Sequence, residues 1–290
     1  MSTSAASGGP SVPGMPGAES VQINRPIEAV PPGSLPSNPP RHPVRDSAVR
    51  TLATARRVLA QLRHDPRTIG LLLVVPCVLL VLLKYVFDGA PEVFNRTGAP
   101  LLGIFPMLVM FLVTSVATLR ERSSGTLERL LTMPLAKLDL LLGYALAFGL
   151  LALVQAAVAF GLTLGPLGLR VSGPTWLLFV VAVGDGLLGT ALGLFVSAFA
   201  ATEFQAVQFL PAFILPQFLL CGLFTPRESM AAVLRWISDV MPLSYAVDAM
   251  TRLTRDSGVG GLVVRDLVVI GAAAVLALAL GAVTLRRRTA

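Results

Sequence analysis

The chain has 290 residues, of which 54% are hydrophobic and only 13% charged, with a mean hydropathy of +0.75. Soluble domains carry about 25% charged residues, so this balance excludes an ordinary soluble protein and implies an integral membrane protein. The net charge of +7 would suggest nucleic acid in a soluble chain. Here the basic residues cluster beside apolar runs, where anionic headgroups lie, and no nucleic-acid partner is expected.

Residues 1–45 are rich in Pro, Gly, Ser and Ala and lack an apolar period. Such a segment buries too little surface to offset the entropy of ordering, so a disordered tail is predicted. It does not read as a signal peptide, because no positive n-region leads directly into an apolar h-region. A connecting segment over 46–66 follows, in which Ser47 to His64 reads as a helix. Val49, Leu52, Leu59 and Leu62 fall on one side, Arg50 and Arg57 lie well off it, and Arg56 and Arg63 must snorkel. A helix in the cytoplasmic membrane interface fits this pattern; a solvated basic arm is the alternative.

The domain over 67–288 contains six apolar runs: Thr68 to Phe87, Leu101 to Leu119, Leu140 to Leu164, Trp176 to Phe199, Phe204 to Leu223 and Leu262 to Leu285. Each approaches the roughly 20 residues that a helix needs to cross a 30 Å hydrocarbon core. With the N-terminus inside, 15 of the 23 basic residues fall on the cytoplasmic side and 8 on the other. That asymmetry places both termini in the cytoplasm. Cys77 and Cys221 sit inside apolar runs without C-x-x-C spacing and read as small buried hydrophobes.

Between the fifth and sixth runs, Met230, Val233, Leu234 and Ile237 follow i, i+3, i+4, i+7, and Leu243, Val247, Met250 and Leu253 form a second stripe after Pro242. Both stripes are too short to cross a bilayer. Two short helices dipping into the outer leaflet satisfy their own backbone hydrogen bonds there; a small folded cap above the membrane is the alternative.

No Gly-Lys dipeptide occurs, so the chain lacks the phosphate-cradling P-loop. There is no H-E-x-x-H motif, and His42 and His64 lie outside the apolar runs, which leaves no evident metal site. The chain is not expected to be an enzyme. After the second run, Gly125 can cap a helix with Glu128 three residues on. Leu127, Leu130 and Leu131 share a face, Glu121, Arg122, Glu128 and Arg129 supply charges, and Pro134 ends the helix. A short helix of this kind suits a groove on a partner protein, while an interfacial helix that merely closes a turn has the same spacing.

The run from Leu119 to Pro134, LRERSSGTLERLLTMP, resembles the E-x-x-x-G-T-L-E-x-L-x-x-x-P signature of type-2 ABC exporter permeases, in particular the daunorubicin-resistance type. Thr202 to Gln208 leading into Pro216 to Phe224 is a second similarity, and Met241 to Ala249 resembles P-L-[ST]-Y-A-x-[DE]-A. The resemblance implies an all-α membrane fold: six transmembrane helices, an N-terminal interfacial helix, a cytoplasmic coupling helix and two short external re-entrant helices. It implies an exporter subunit in a bacterial cell membrane, paired as a homodimer or with a related permease, with two copies of a cytoplasmic ATPase. No cofactor is expected on this chain; ATP and Mg would sit on the partner subunit. Glu121, Gly125, Thr126, Leu127, Glu128 and Leu131 are the implied ATPase contacts.

Polar residues inside the runs are candidates for the path of an amphipathic cargo, a drug-like compound or a lipid. These are Gln155, Asp185, Gln208 and Gln217, each costly in hydrocarbon unless it faces a partner or a pathway. Asp185 departs from the uncharged residue expected there from the family. An ion-coupled secondary transporter working through Asp185 is one alternative, although such proteins usually carry several intramembrane ionisable groups. A membrane scaffold that transports nothing is the other.

Overall fold

The structure, a computed structural model, describes residues 43–124, 137–256 and 260–284. The predicted tail and most of the predicted coupling helix lie outside the described residues. Within them the chain forms α1 (Pro43–Arg63), α2 (Pro66–Val86), α3 (Pro91–Ser123), α4 (Lys137–Leu164), α5 (Thr175–Ser197) and α6 (Glu203–Leu220). A 3₁₀ turn (Arg227–Ser229) then leads to α7 (Ala232–Val240), α8 (Pro242–Arg255) and α9 (Gly261–Thr284). No strand occurs among the described residues.

Local chemistry accounts for several of these boundaries. Asp65 caps α2 by accepting from the Thr68 N–H at 3.2 Å and the Thr68 hydroxyl at 2.6 Å, and Pro66 opens the first turn. At α6 the Thr202 side chain accepts from the Gln205 N–H at 3.2 Å. The Gln205 side-chain oxygen reaches back to accept from the Ala201 N–H at 2.8 Å, a reciprocal cap of the Thr-x-x-Gln kind.

Among the described residues, five helices are long and apolar enough to cross a membrane: α2, α3, α4, α5 and α9. The chain is a multi-pass membrane protein. The remaining predicted run, Phe204 to Leu223, becomes the 18-residue α6. At about 1.5 Å per residue α6 is roughly 27 Å long, and Gln205, Gln208, Gln217, Pro211 and Pro216 dilute its apolar content. The second predicted run starts much earlier than Leu101. Helix α3 has 33 residues, about 50 Å, and continues through Pro100 and Pro106.

The densest packing is α3 against α5. A Cβ on Gly189 would collide with the Met107 carbonyl oxygen, and one on Gly193 would lie 2.6 Å from the Phe111 carbonyl oxygen. Two glycines at a four-residue interval thus let the backbones touch, the small-xxx-small device of membrane helices. Helices α4 and α9 flank α5, and α2 lies at the periphery with Leu71, Val74 and Leu82 exposed. Cys221 is buried as expected, whereas Cys77 is only half-buried; both are free thiols.

The two predicted short helices behave differently. All four stripe residues of α8, Leu243, Val247, Met250 and Leu253, are buried against α3, α5 and α9. On α7, Val233, Leu234 and Ile237 face outward instead, and Val233 is 70% exposed. Helix α1 has two working sides. Its apolar residues Val49 and Leu52 are exposed, while Thr54, Ala55 and Val58 are buried. Gly143 on α4 makes this docking possible, since a Cβ there would lie 2.5 Å from the Thr54 Cβ and 2.9 Å from the Thr51 carbonyl oxygen.

Candidate functional site

Ser47, Arg50, Thr54 and Arg57 recur at helical spacing along one side of α1, and that side meets the protein. Arg57 donates to a Glu121 carboxylate oxygen at 3.0 Å and to the Tyr144 hydroxyl at 2.9 Å, and its guanidinium lies 5.9 Å from the Tyr144 ring centre. The Tyr144 hydroxyl donates to the same Glu121 oxygen. Further along, Ser47 donates to Asp139, and Arg50 pairs with the other Asp139 oxygen at 3.7 Å. Glu121 is in the last turn of α3 and Asp139 in the first turn of α4. Helix α1 therefore holds both the last turn of α3 and the first turn of α4.

Of the predicted partner contacts, Glu121 alone is described, and its side chain is engaged within the chain. Gly125, Thr126, Leu127, Glu128 and Leu131 lie outside the described residues. Arg57, Tyr144 and Asp139 were not singled out from sequence. The signal for Arg57 was its position off the apolar side of α1, which marks a face seeking polar partners rather than lipid.

Beside the Arg57 cluster opens a cleft of about 470 Å³. Leu62, Leu112, Val116 and Phe148 give it an apolar floor, and Asp65, Arg120, Glu121 and Glu203 supply charge around it. Arg120 and Glu203 pair at 2.8 Å with both side chains exposed, a contact that adds little stability. The Thr68 hydroxyl, then the Thr68 N–H, hold the Asp65 carboxyl below its usual range despite slight desolvation. Pockets of this size accommodate drug-sized molecules.

The intramembrane candidates occupy different settings. Asp185 is fully buried on α5, and neither carboxylate oxygen has a hydrogen-bond partner. Gly103 of α3 lies beside it, with a Cβ there falling 3.6 Å from the Asp185 Oδ2 and 3.1 Å from the Met250 Cε. Its neighbours Gly184 and Gly186 face Ile270 and Ala152 respectively. Gln155 is buried with both amide atoms unpartnered, and Gln217 donates to the Phe213 carbonyl at 3.1 Å while its oxygen is unpartnered. Gln208 is exposed on α6. No hydrogen bond joins any two of the four, and none lines the cleft.

At the opposite end of the bundle, Arg227 ties the 3₁₀ turn to α7 and α8. It donates to Asp248 at 2.6 Å and to Asp239, and it lies 5.5 Å from the Tyr245 ring centre. Burial pushes the Asp248 carboxyl up, and Arg227 opposes that shift only in part. Ser238 donates to the Leu220 carbonyl at 2.7 Å and lies 3.0 Å from the Ser244 hydroxyl, closing the junction between α6, α7 and α8.

Comparison with known proteins yields one consistent result. Residues 50–253 match the family model described as ABC-2 type transporter. The probable multidrug ABC transporter permease YbhR of Escherichia coli K12 is 28% identical over 148 residues, 51% of this chain and 40% of that protein. The inner membrane transport permease YhhJ of the same organism is 31% identical over 154 residues, 52% of this chain and 41% of that protein. ABC transporter G family member 20 of Dictyostelium discoideum is 27% identical over 138 residues, 48% of this chain and 19% of that protein. The matched region thus spans less than half the length of these relatives. Because the family model covers the connecting helix, the α3–α5 core and the α8 junction together, the chain belongs to the ABC-2 type transporter family of membrane proteins.

Proposed function

We propose that this chain is the transmembrane permease subunit of an ATP-driven exporter that moves an amphipathic small molecule, a drug-like compound or a lipid, out of a bacterial cell. The observation that carries this reading is the tying of the end of α3 and the start of α4 to α1, beside an apolar cleft lined also by charged residues. Force applied to the 125–136 segment would reach α3 and α4 at once, because Glu121 ends one and Asp139 begins the other. Rigid elements moving against one another are the usual form of such a transition.

In this reading Gly125, Thr126, Leu127, Glu128 and Leu131 touch a cytoplasmic ATPase, present in two copies and carrying the ATP and Mg. Glu121 acts as a positioning residue behind them. Two permeases pair, as identical or related copies. Helix α6 makes the sixth crossing, α7 and α8 dip into the outer leaflet, and both termini are cytoplasmic. The exposed amide of Gln208 on α6 supports that helix facing a second permease or the pathway, since an amide in lipid is costly. The relatives named as multidrug permeases support an amphipathic cargo.

The test uses vesicles holding the full-length chain and the ATPase that co-purifies with it. ATP should drive uptake of a fluorescent amphiphile into inside-out vesicles. Leu127→Asp or Glu128→Arg should insert normally but lose stimulation of ATP hydrolysis. If both variants bind and stimulate the ATPase as the parent does, the segment is not the contact.

A further inference from the structure

The end of the bundle away from α1 concentrates arginine. Seven arginines fall on that side in the sequence, and six of them, Arg96, Arg227, Arg235, Arg252, Arg255 and Arg265, line one cavity of about 510 Å³. Arg227 and Arg265 serve the scaffold. Arg227 is held by Asp239 and Asp248, Arg265 by Asp266 at 2.8 Å, and the two guanidiniums lie 5.5 Å and 5.7 Å from the Tyr245 ring centre. The other four arginines form no ion pair among the described residues.

The carboxylates lining the cavity do not cancel them. Six guanidiniums at the lining stand against Glu228, Asp239, Asp248 and Asp256, with Asp266 beside Arg265, which leaves an excess of one positive charge. Arg252 is only partly exposed, and its Nε is closed off from water with no acceptor. Holding a guanidinium at the wall under those conditions costs desolvation energy, which an anionic ligand would offset.

Depth in the membrane narrows the ligand. On α7 the apolar residues Val233, Trp236 and Val240 are 70%, 73% and 74% exposed, while Arg235 and Asp239 on the other side line the cavity. A helix with an outward apolar face and a Trp lies at the headgroup level. On that placement of α7, the arginine cavity that Arg235 and Asp239 line lies at the level of lipid phosphates. Guanidinium forks match phosphate oxygens bidentately, and a phosphate can take forks from several directions where a carboxylate fills one.

We propose that this cavity binds a phosphate group through Arg96, Arg235, Arg252 and Arg255, contributed by α3, α7 and α8. The phosphate belongs to a lipid-like amphiphile or is free in solution. Binding does not depend on whether the chain exports anything.

The experiment titrates the purified full-length chain in neutral detergent with three probes: dihexanoyl phosphatidylglycerol, inorganic phosphate, and uncharged dihexanoylglycerol. Binding is read by calorimetry. The parent should bind the phosphatidylglycerol, more weakly as salt rises, and the double variant Arg96→Gln/Arg252→Gln should lose at least about tenfold in affinity. Arg170→Gln, the outer arginine off this cavity, should bind like the parent. Equal binding of inorganic phosphate would identify a free phosphate as the ligand, and preference for the lipid would identify a headgroup. Equal binding of the uncharged lipid, no binding of either phosphate probe by the parent, or an unchanged double variant would each overturn the proposal. Circular dichroism and elution volume, matched between variants and parent, separate lost binding from lost folding.

Discussion

Arg57 and Glu121, 64 positions apart, meet at 3.0 Å where α1 crosses the end of α3, and the Tyr144 hydroxyl of α4 shares the same carboxylate oxygen. Three helices are joined by one partly buried charge, with the Arg57 and Glu121 side chains 29% and 15% exposed.

That junction should be measurable as coupling energy. Breaking a charged hydrogen bond of this burial costs about 1.5–3 kcal/mol, less than for a fully enclosed pair because water still reaches Arg57. Arg57→Gln and Glu121→Gln should each lower the thermal midpoint in detergent. The double variant should be less destabilised than the sum of the two, since the second change removes a charge already stranded. Strict additivity would show that the pair contributes no interaction of its own.

The α3–α5 crossing should tolerate no side chain at its closest point. Gly189→Ala forces a methyl onto the Met107 carbonyl, and overpacking of this kind costs about 1–3 kcal/mol. Gly161→Ala is the control, because a Cβ there meets nothing within 4 Å and alanine is the better helix former by about 1 kcal/mol. Thermal unfolding monitored by tryptophan fluorescence should place the two variants on opposite sides of the parent.

Orientation can be read by thiol labelling in intact cells. In a Cys77→Ala/Cys221→Ala background, single cysteines at Gly89 and Ser172 should react with an impermeant reagent added outside, and one at Ser123 should not. Ser172 is preferable to its neighbour Gly173, where a Cβ would lie 2.9 Å from the Asp256 and Leu253 carbonyl oxygens. Labelling of Ser123 alone would invert the topology.

Asp185 is the place to test for a charge-dependent role, since it is fully buried and neither oxygen has a hydrogen-bond partner within the chain. An ionised carboxylate at the bilayer centre costs about 3 kcal/mol even on the lenient insertion scale. Asp185→Asn should therefore leave thermal stability unchanged or higher. At matched expression it should reduce export of cationic amphiphiles by roughly tenfold, equivalent to about 1.4 kcal/mol, and spare neutral ones. Equal export of both classes across pH 6 to 8 would exclude a charge-dependent role.

Much of the fold was legible in the order of residues. Long apolar runs located α2, α4, α5 and α9 to within a few positions, because transfer from water to hydrocarbon is a property of each residue and sums locally. Periodicity also found the buried stripe of α8, for Leu243, Val247, Met250 and Leu253 recur at the helical interval whatever they pack against. At α3 the same logic failed on the N-terminal side: Asn95 and Arg96 interrupt the apolar run, yet the helix carries them beyond it.

The relations between elements were decided only in three dimensions. Val49 and Leu52 mark α1 as amphipathic, but its docking depends on the opposite side, where Arg57 needs Glu121 and Thr54 needs the bare backbone at Gly143. Gly189 is one glycine among 26 until Met107 is placed against it. The outer arginines lie scattered along the sequence, and their convergence on one cavity follows from the packing of α3, α7, α8 and α9. Hydropathy is a one-residue quantity and is written along the chain; ion pairing and close backbone contact are two-residue quantities, and tertiary structure alone supplies the second residue.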